Sequence, residues 1–307
     1  MAGEGEGQRP RGPRLGRAGP EGSIRMRRVL FAWAVAGCLA AASPASAQET
    51  VRFRGPAADG KYAGTGLLKA WPAEGPKLLW SAQGLGEGFS SAVVAGETVY
   101  ITGRAPTGQG VLFALGPDGV VRWKAEYGRE TDTIGPAPGG SRGSVTVDGD
   151  RLYVTNGFGE LAVLDAKSGA LVRTVNLMEK FGGKQPRFGF AESVLVDGDR
   201  IICTPAGPDA FLVALDKKGG DAVWRTPGVG EGNGYCSPVL VRHGGRRLVV
   251  TASDASVIGV DAETGKLLWK HPHPNRHGVQ PNPPTYADGV VYMTSGAGSG
   301  GVALALS

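Results

Sequence analysis

Residues 144–173 read SVTVDGDRLYVTNGFGELAVLDAKSGALVR, and their pattern decides the fold. Apolar residues alternate with polar ones on both sides of Asp148-Gly149-Asp150, which is the signature of a β-hairpin with a tight turn. A third strand-like run, LAVLD, follows at Leu161–Asp165, and the turn Ala166–Gly169 leads into a fourth run ending at Arg173. The stretch therefore encodes four short strands in sequence.

The same unit recurs along the chain. Hairpins start at Ser91 (SAVVAGETVYITG), Ser144, Ser193 (SVLVDGDRIICTPAG), Ser237 (SPVLVRHGGRRLVVTAS) and Pro284 (PTYADGVVYMTSG). Third strands follow as VLFALG, LAVLD, FLVALD, VIGVD and VALALS. A turn and a strand ending in tryptophan complete most units: GPDGVVRW to Trp123, DKKGGDAVW to Trp224 and DAETGKLLW to Trp269. DAKSGALVR carries Arg173 in the tryptophan place, and PKLLW, ending at Trp80, reads as a fourth strand alone. Glycine, at 52 of 307 residues, falls in the short turns between these strands.

Four strands roughly every 45–50 residues predict an all-β protein, a β-propeller of four-stranded antiparallel blades with about five blades present. A solenoid coil would be shorter, and a β-sandwich does not need five copies of one pattern. The strand order sets the first strand of each blade at the central channel and the tryptophan strand outermost. Trp80, Trp123, Trp224 and Trp269 then wedge between blades, and the junction at Arg173 is expected to pack differently.

DAETGKLLW, DAKSGALVR and the alternating hairpins resemble the pyrroloquinoline-quinone-like repeat of quinoprotein alcohol dehydrogenases and of the propeller lipoprotein of the outer-membrane assembly machinery. The resemblance covers about residues 50–307. FRGPAADG from Phe53 and GLGEGFSSAVV from Gly84 also look like the opening of secreted quinone-binding-like propellers. The family hosts enzymes and scaffolds on one fold. For the enzymes, the resemblance implies a quinone stacked on a tryptophan near a disulfide of adjacent cysteines, with calcium held by carboxylate and amide oxygens. This sequence has no Cys-Cys pair and no Cys-x-x-Cys-His haem signature.

Residues 1–25 form a Gly-, Arg- and Pro-rich extension, read as disordered or as a misplaced start. Residues 26–47 read as a signal peptide: basic Met26-Arg27-Arg28, an apolar run from Val29 to Ala42, and a small-residue cleavage site at Ala45-Ser46-Ala47. Val35-Ala36-Gly37-Cys38 resembles a lipobox, so lipid anchoring at Cys38 is the less favoured alternative. Residues 48–76 are a lead-in and residues 77–307 the propeller. The expected location is periplasmic or extracellular, with no transmembrane segment.

Without residues 1–47 the chain keeps 26 basic and 25 acidic residues, a net charge of +1, which leaves no field for nucleic acid. Cys203 and Cys236 remain, and spacing alone leaves a bridge between them open.

Loops that enter the first strand of each blade converge on one channel mouth and are the place for a site. They carry Glu87, Arg142, Glu192, Asn233, Tyr235, Gln280 and Asn282, a palette suited to a small polar or carboxylated ligand or to a protein partner. Glu192 with Asn233 or Asn282 offers oxygens for calcium; the alternative is that these groups satisfy one another. His271, His273 and His277 lie in a Pro-rich loop without a carboxylate or cysteine to complete a metal shell, so no metal site is predicted. HExxH and phosphate-loop motifs are absent from the sequence, and the Gly-rich stretches sit between strands as turns.

The chain reads as ending on the third strand of its last blade, and two arrangements stay open. Residues 77–82 add to the blade of residues 283–306 and close a five-bladed ring, or, as favoured, the chain is part of a seven- or eight-bladed ring, the usual size in the family. The leading functional reading is a non-catalytic binding or assembly scaffold; the alternative is a dehydrogenase using pyrroloquinoline quinone and calcium on an alcohol or sugar.

Overall fold

The computed structural model describes residues 52–62, 64–132 and 138–307. Residues 1–25, read above as an extension, residues 26–47, read as a signal peptide, and Cys38 lie outside these residues.

Five antiparallel sheets follow one another along the chain. Blade 1 holds β1 (Val93–Ala95), β2 (Thr98–Arg104), β3 (Gln109–Leu115) and β4 (Val121–Arg129). Blade 2 holds β5 (Thr146–Asp148), β6 (Arg151–Thr155), β7 (Glu160–Asp165) and β8 (Leu171–Asn176), followed by the single-turn helix α1 (Leu177–Phe181). Blade 3 holds β9 (Leu195–Asp197), β10 (Arg200–Cys203), β11 (Leu212–Asp216) and β12 (Ala222–Thr226). Blade 4 holds β13 (Val239–His243), β14 (Arg246–Ala252), β15 (Ser256–Asp261) and β16 (Leu267–Pro272). The last sheet has three strands, β17 (Thr285–Ala287), β18 (Val290–Ser295) and β19 (Gly300–Ala305). In every sheet each strand pairs with the next in sequence, so the hairpin chemistry read at Asp148-Gly149-Asp150 extends into whole blades.

The middle strands of blades 2, 3 and 4 are buried on both faces, and strand alternation divides the side chains between them, whereas the last sheet buries one face. In blade 2, Leu152 and Val154 of β6 and Ala162 and Leu164 of β7 pack with Val93, Leu112 and Ala114 of blade 1. The intervening Tyr153, Leu161 and Val163 turn the other way, onto Ile201, Val213 and Leu215 of blade 3. Blade 3 repeats the division, its Ile202, Leu212 and Ala214 meeting Val249, Ile258 and Val260 of blade 4. Blade 4 then packs Val239, Val250 and Val257 with Val291 and Met293 of the last sheet. The core is thus a series of interfaces between neighbouring blades.

One device recurs at these interfaces. In four of the five copies the residue in the tryptophan place lies over the positive-φ glycine that ends the β3–β4-type turn of the following blade, whereas Trp269 lies against Gly259 of its own sheet. A Cβ built on Gly119 would stand 2.5 Å from the Trp80 ring, one on Gly169 2.6 Å from Trp123 and one on Gly265 2.5 Å from Trp224. Only glycine allows that approach. Arg173 takes the same place over Gly220, and its guanidinium donates to the carbonyls of Lys217 at 2.7 Å and Lys218 at 2.6 Å.

One expectation needs correction, and one open question is answered. Lys77–Ala82 pair with no sheet and form no strand; Trp80 is held instead by its ring on Gly119 and an Nε1–H bond to the Pro117 carbonyl at 2.8 Å. The closure of β17–β19 by residues 77–82 is accordingly not formed. Cys203 and Cys236 are both free and buried, one facing the blade 2–3 interface and the other the blade 4–5 interface, so strand alternation itself keeps them apart.

First strands of successive blades lie side by side. The Ser91 N–H donates to the Ser144 hydroxyl at 2.9 Å, the Ser193 N–H to the Ser237 hydroxyl at 2.9 Å, and the Thr146 hydroxyl to the Val194 carbonyl at 2.7 Å. These serines open the first strands and gather the preceding loops around one mouth.

Candidate functional site

The lead-in meets the openings of blades 3 and 4. Arg52 is buried and donates from Nη2 to the carbonyls of Ser193 at 3.0 Å and Pro238 at 2.8 Å, while the Phe53 N–H reaches the Ser193 hydroxyl at 3.4 Å. Beside Phe53 opens a cavity of about 270 Å³. Its walls are Phe53, Phe89, Phe188, Ala191, Val279 and Pro281, and its polar groups are Arg142, Ser144, Tyr235 and Ser237. The loops before the first strands of all five blades contribute.

Arg142 is the central cation. Its guanidinium carbon lies 4.8 Å from the Phe89 ring centroid and 5.7 Å from that of Phe188, and Nε and Nη2 donate to the carbonyls of Phe188 and Pro138 at 2.8 Å each. Stacking on aromatic faces while the edge stays available is what guanidinium geometry favours. Burial lowers its pKa, with Glu130 and Tyr235 acting in the opposite sense.

The loop carrying Arg142 is anchored from below. The Tyr127 hydroxyl donates to Glu130 at 2.6 Å, and it meets the Ser141 hydroxyl at 2.7 Å, which donates to Thr102 at 2.7 Å. Thr102 in turn donates to the Gly143 carbonyl at 3.0 Å. Glu130 is buried and also accepts the Gly157 N–H at 3.0 Å; burial pushes its pKa up to about 7 against those bonds.

Tyr235 adopts φ 68°, an unusual conformation for a non-glycine residue. Asn233 holds it there, its side-chain oxygen accepting the Tyr235 N–H at 2.7 Å. The Tyr235 hydroxyl accepts the Phe188 N–H at 3.3 Å, with the two ring centroids 6.0 Å apart. Asn233 thus positions the tyrosine without lining the cavity.

Of the seven residues read from sequence, Arg142 and Tyr235 line this cavity. Asn282 lines a neighbouring cavity, with Arg187 and His277, that shares Phe188, Val279 and Pro281 with the first. The other four serve the frame. Glu87 is exposed and reaches Arg104 at 3.7 Å. Gln280 is fully buried, donating to the carbonyls of Ser253 and His273 at 3.0 Å each. Glu192 is buried, and both its oxygens accept the Thr204 N–H, at 2.9 and 3.2 Å; burial is the main cause that pushes its pKa up to about 7. Asn233 bonds the other side of the same residue, its amide donating to the Thr204 carbonyl at 2.7 Å.

That arrangement does not fit calcium. The Asn233 oxygen is taken by Tyr235, its NH₂ faces Thr204, and Asn282 points its NH₂ to the Thr294 carbonyl at 3.2 Å, so these groups offer Glu192 no shared oxygen shell. The tryptophans Trp80, Trp123 and Trp224 are engaged with the turns of neighbouring blades, and the cavity walls contain only phenylalanine and tyrosine rings for stacking. Among the described residues no cluster of three or more His, Cys, Asp or Glu side chains is placed to hold a metal, and His277 lies at the second cavity while His273 is buried.

Phe53, Phe89 and Phe188 are the site residues that a search for polar groups passes over. Phe89 and Phe188 stand in the loops GEGFS and RFGFAE, directly before first strands, so position alone marks them.

The blades and their junctions define a β-propeller, and comparison with known proteins places it. A family model described as outer membrane protein assembly factor BamB matches residues 108–305. The chain belongs to this family of pyrroloquinoline-quinone-like propellers. It is 26% identical over 178 residues to a quinoprotein ethanol dehydrogenase of Pseudomonas aeruginosa, a match covering 54% of this chain and 27% of that protein. It is 25% identical over 182 residues to a 1-butanol dehydrogenase (quinone) of Thauera butanivorans, covering 54% of this chain and 28% of the relative. The matches therefore span just over a quarter of the curated relatives' lengths. Among solved structures, BamB from Moraxella catarrhalis aligns with a TM-score of 0.49 at 22% identity, over 68% of this chain and 55% of that one. Quinohemoprotein alcohol dehydrogenase from Comamonas testosteroni aligns with a TM-score of 0.49 at 18% identity, over 68% and 40%. No helix among the described residues is long and apolar enough to cross a membrane.

Proposed function

We propose that this chain is an exported propeller that works as a non-catalytic binding or assembly module, taking its partner or ligand at the channel mouth. The observation that carries the reading is the mouth cavity, where a preorganised cation and three hydroxyls stand among aromatic and aliphatic walls, the composition of a recognition pocket. The polar side chains that would otherwise suggest chemistry there, Glu192, Asn233 and Gln280, are committed to backbone groups and hold the loops in place. Export follows from the signal-like residues 26–47.

A second reading, a quinone-dependent dehydrogenase, is favoured by the names of the two curated relatives. The experiment that separates them adds pyrroloquinoline quinone and calcium to the purified protein and follows thermal stability and alcohol- or sugar-dependent dye reduction. The expected result is no stabilisation and no turnover. Saturable stabilisation with dye reduction overturns the binding-module reading.

A further inference from the structure

The mouth cavity is unbalanced in its hydrogen-bonding groups: it offers donors and lacks a counter-charge. Arg142 carries five N–H groups, of which those on Nε and one on Nη2 are satisfied by the Phe188 and Pro138 carbonyls. It forms no ion pair with a carboxylate among the described residues, and no acidic side chain lines the cavity. Ser144 and Ser237 each use the hydroxyl oxygen to accept a backbone N–H, from Ser91 and Ser193, and so keep the hydroxyl proton to donate. Tyr235 does the same with the Phe188 N–H. A guanidinium edge and three hydroxyl protons therefore face one space.

The remaining wall is apolar. Phe53, Phe89 and Phe188 present ring surface, and Ala191, Val279 and Pro281 complete the enclosure. A volume of about 270 Å³ lies just below the range of roughly 300–1,000 Å³ that accommodates drug-sized ligands. It suits one ring or one branched chain rather than a fused polycycle.

Building on the binding-module reading, we infer that the cavity binds a small organic carboxylate, with its carboxylate on Arg142 and the Ser144, Ser237 and Tyr235 hydroxyls and its single ring or branched aliphatic body against Phe53, Phe89 and Phe188. The guanidinium is held between two phenyl rings before any ligand arrives, so little side-chain freedom is lost on binding. Charge-assisted bonds in a half-enclosed apolar site are the strong ones, and a neutral isostere leaves Arg142 without its counter-charge.

The test uses the full chain and titration calorimetry with 4-methylbenzoate and 4-methylpentanoate, each beside its amide and the matching amine. The carboxylates are expected to bind, the amides at least tenfold more weakly, and the amines not at all. Arg142→Gln is expected to abolish the preference for carboxylate over amide, and Arg142→Lys to retain part of it, both with thermal midpoints near that of the parent. Amides that bind as well as carboxylates, in a manner lost on Phe188→Ala, overturn the carboxylate class while leaving the mouth as a binding site. Probes that fail to bind in any form overturn the inference, and a macromolecular partner captured equally well by the parent and by Phe188→Ala overturns the mouth as the binding site as well. A fold-unchanged Arg142→Gln protein that keeps the carboxylate preference overturns the assignment of Arg142.

Discussion

Arg173 donates to the Lys217 carbonyl at 2.7 Å, and Trp224 donates from its indole nitrogen to the Ala262 carbonyl at 3.1 Å; the two acceptors occupy the same position in successive blade turns. Trp80 repeats the relation with Pro117 at 2.8 Å. One hydrogen bond from the residue in the tryptophan place to the adjoining blade turn thus recurs at three junctions, and arginine meets it with additional donors in place of ring area.

It follows that Arg173→Trp should be nearly neutral, since the slot over Gly220 is built like those over Gly169 and Gly265. Arg173→Ala removes the donors and the packing stem together and should cost about 1–3 kcal/mol. Urea midpoints of the two variants check this, and an Arg173→Trp protein as unstable as Arg173→Ala would contradict the shared slot.

The glycine beneath the ring is the other half of the device. Gly265 has φ +75° and would bring a Cβ to 2.5 Å from Trp224, so Gly265→Ala combines backbone strain with a clash and should cost about 2–4 kcal/mol. Gly96 has φ +56° with nothing within 4 Å, and Gly96→Ala should cost only the backbone component, about 1 kcal/mol. Comparing the two denaturation midpoints isolates the contribution of the ring contact.

The blades were legible because short apolar runs between glycine turns recur at one spacing five times, and Tyr153 against Leu152 and Val154 shows how directly successive residues of such a run become two interfaces. Lys77–Ala82 misled because KLLWSA has the composition of a true outer strand; pairing depends on an edge elsewhere in the fold, which no local pattern reveals. At the mouth, Arg142 and Tyr235 were found from loop position. Glu192, Asn233 and Gln280 turned away because the same loops bury backbone groups at Thr204 and Ser253 that must be satisfied, and the nearest polar side chains do so. The surface left to a ligand then fell to the phenylalanines between them.

The cysteines give a redox prediction. Burial raises the Cys203 thiol pKa well above its ordinary value and that of Cys236 to about 12, so neither supplies thiolate near neutral pH. In a Cys38→Ser background, a thiol reagent should find almost no reactive group in the folded protein and two after denaturation, and reductant should leave the thermal midpoint unchanged. A midpoint that falls on reduction would show a bridge that the two faces should forbid.

Glu192 makes stability depend on pH in an unusual direction. Its folded pKa is about 7 against 4.5 ordinarily, because burial outweighs the Thr204 bonds and the attraction of Arg52. Below about pH 4.5 the carboxyl is protonated folded or unfolded; between there and pH 7 the folded chain holds a proton that the unfolded chain releases. Stability therefore falls as pH rises through that window, by an amount on the order of 3 kcal/mol, and then levels off. Glu130, also raised to about 7 chiefly by burial, adds a second contribution of the same sign. Glu192→Gln keeps an oxygen to accept the Thr204 N–H and removes the ionisation. Urea unfolding at pH 5 and pH 8 should show the variant gaining stability at pH 8 and losing part of the parent's pH dependence, and a pH dependence identical in parent and variant would mean that Glu192 is charged in the folded protein throughout.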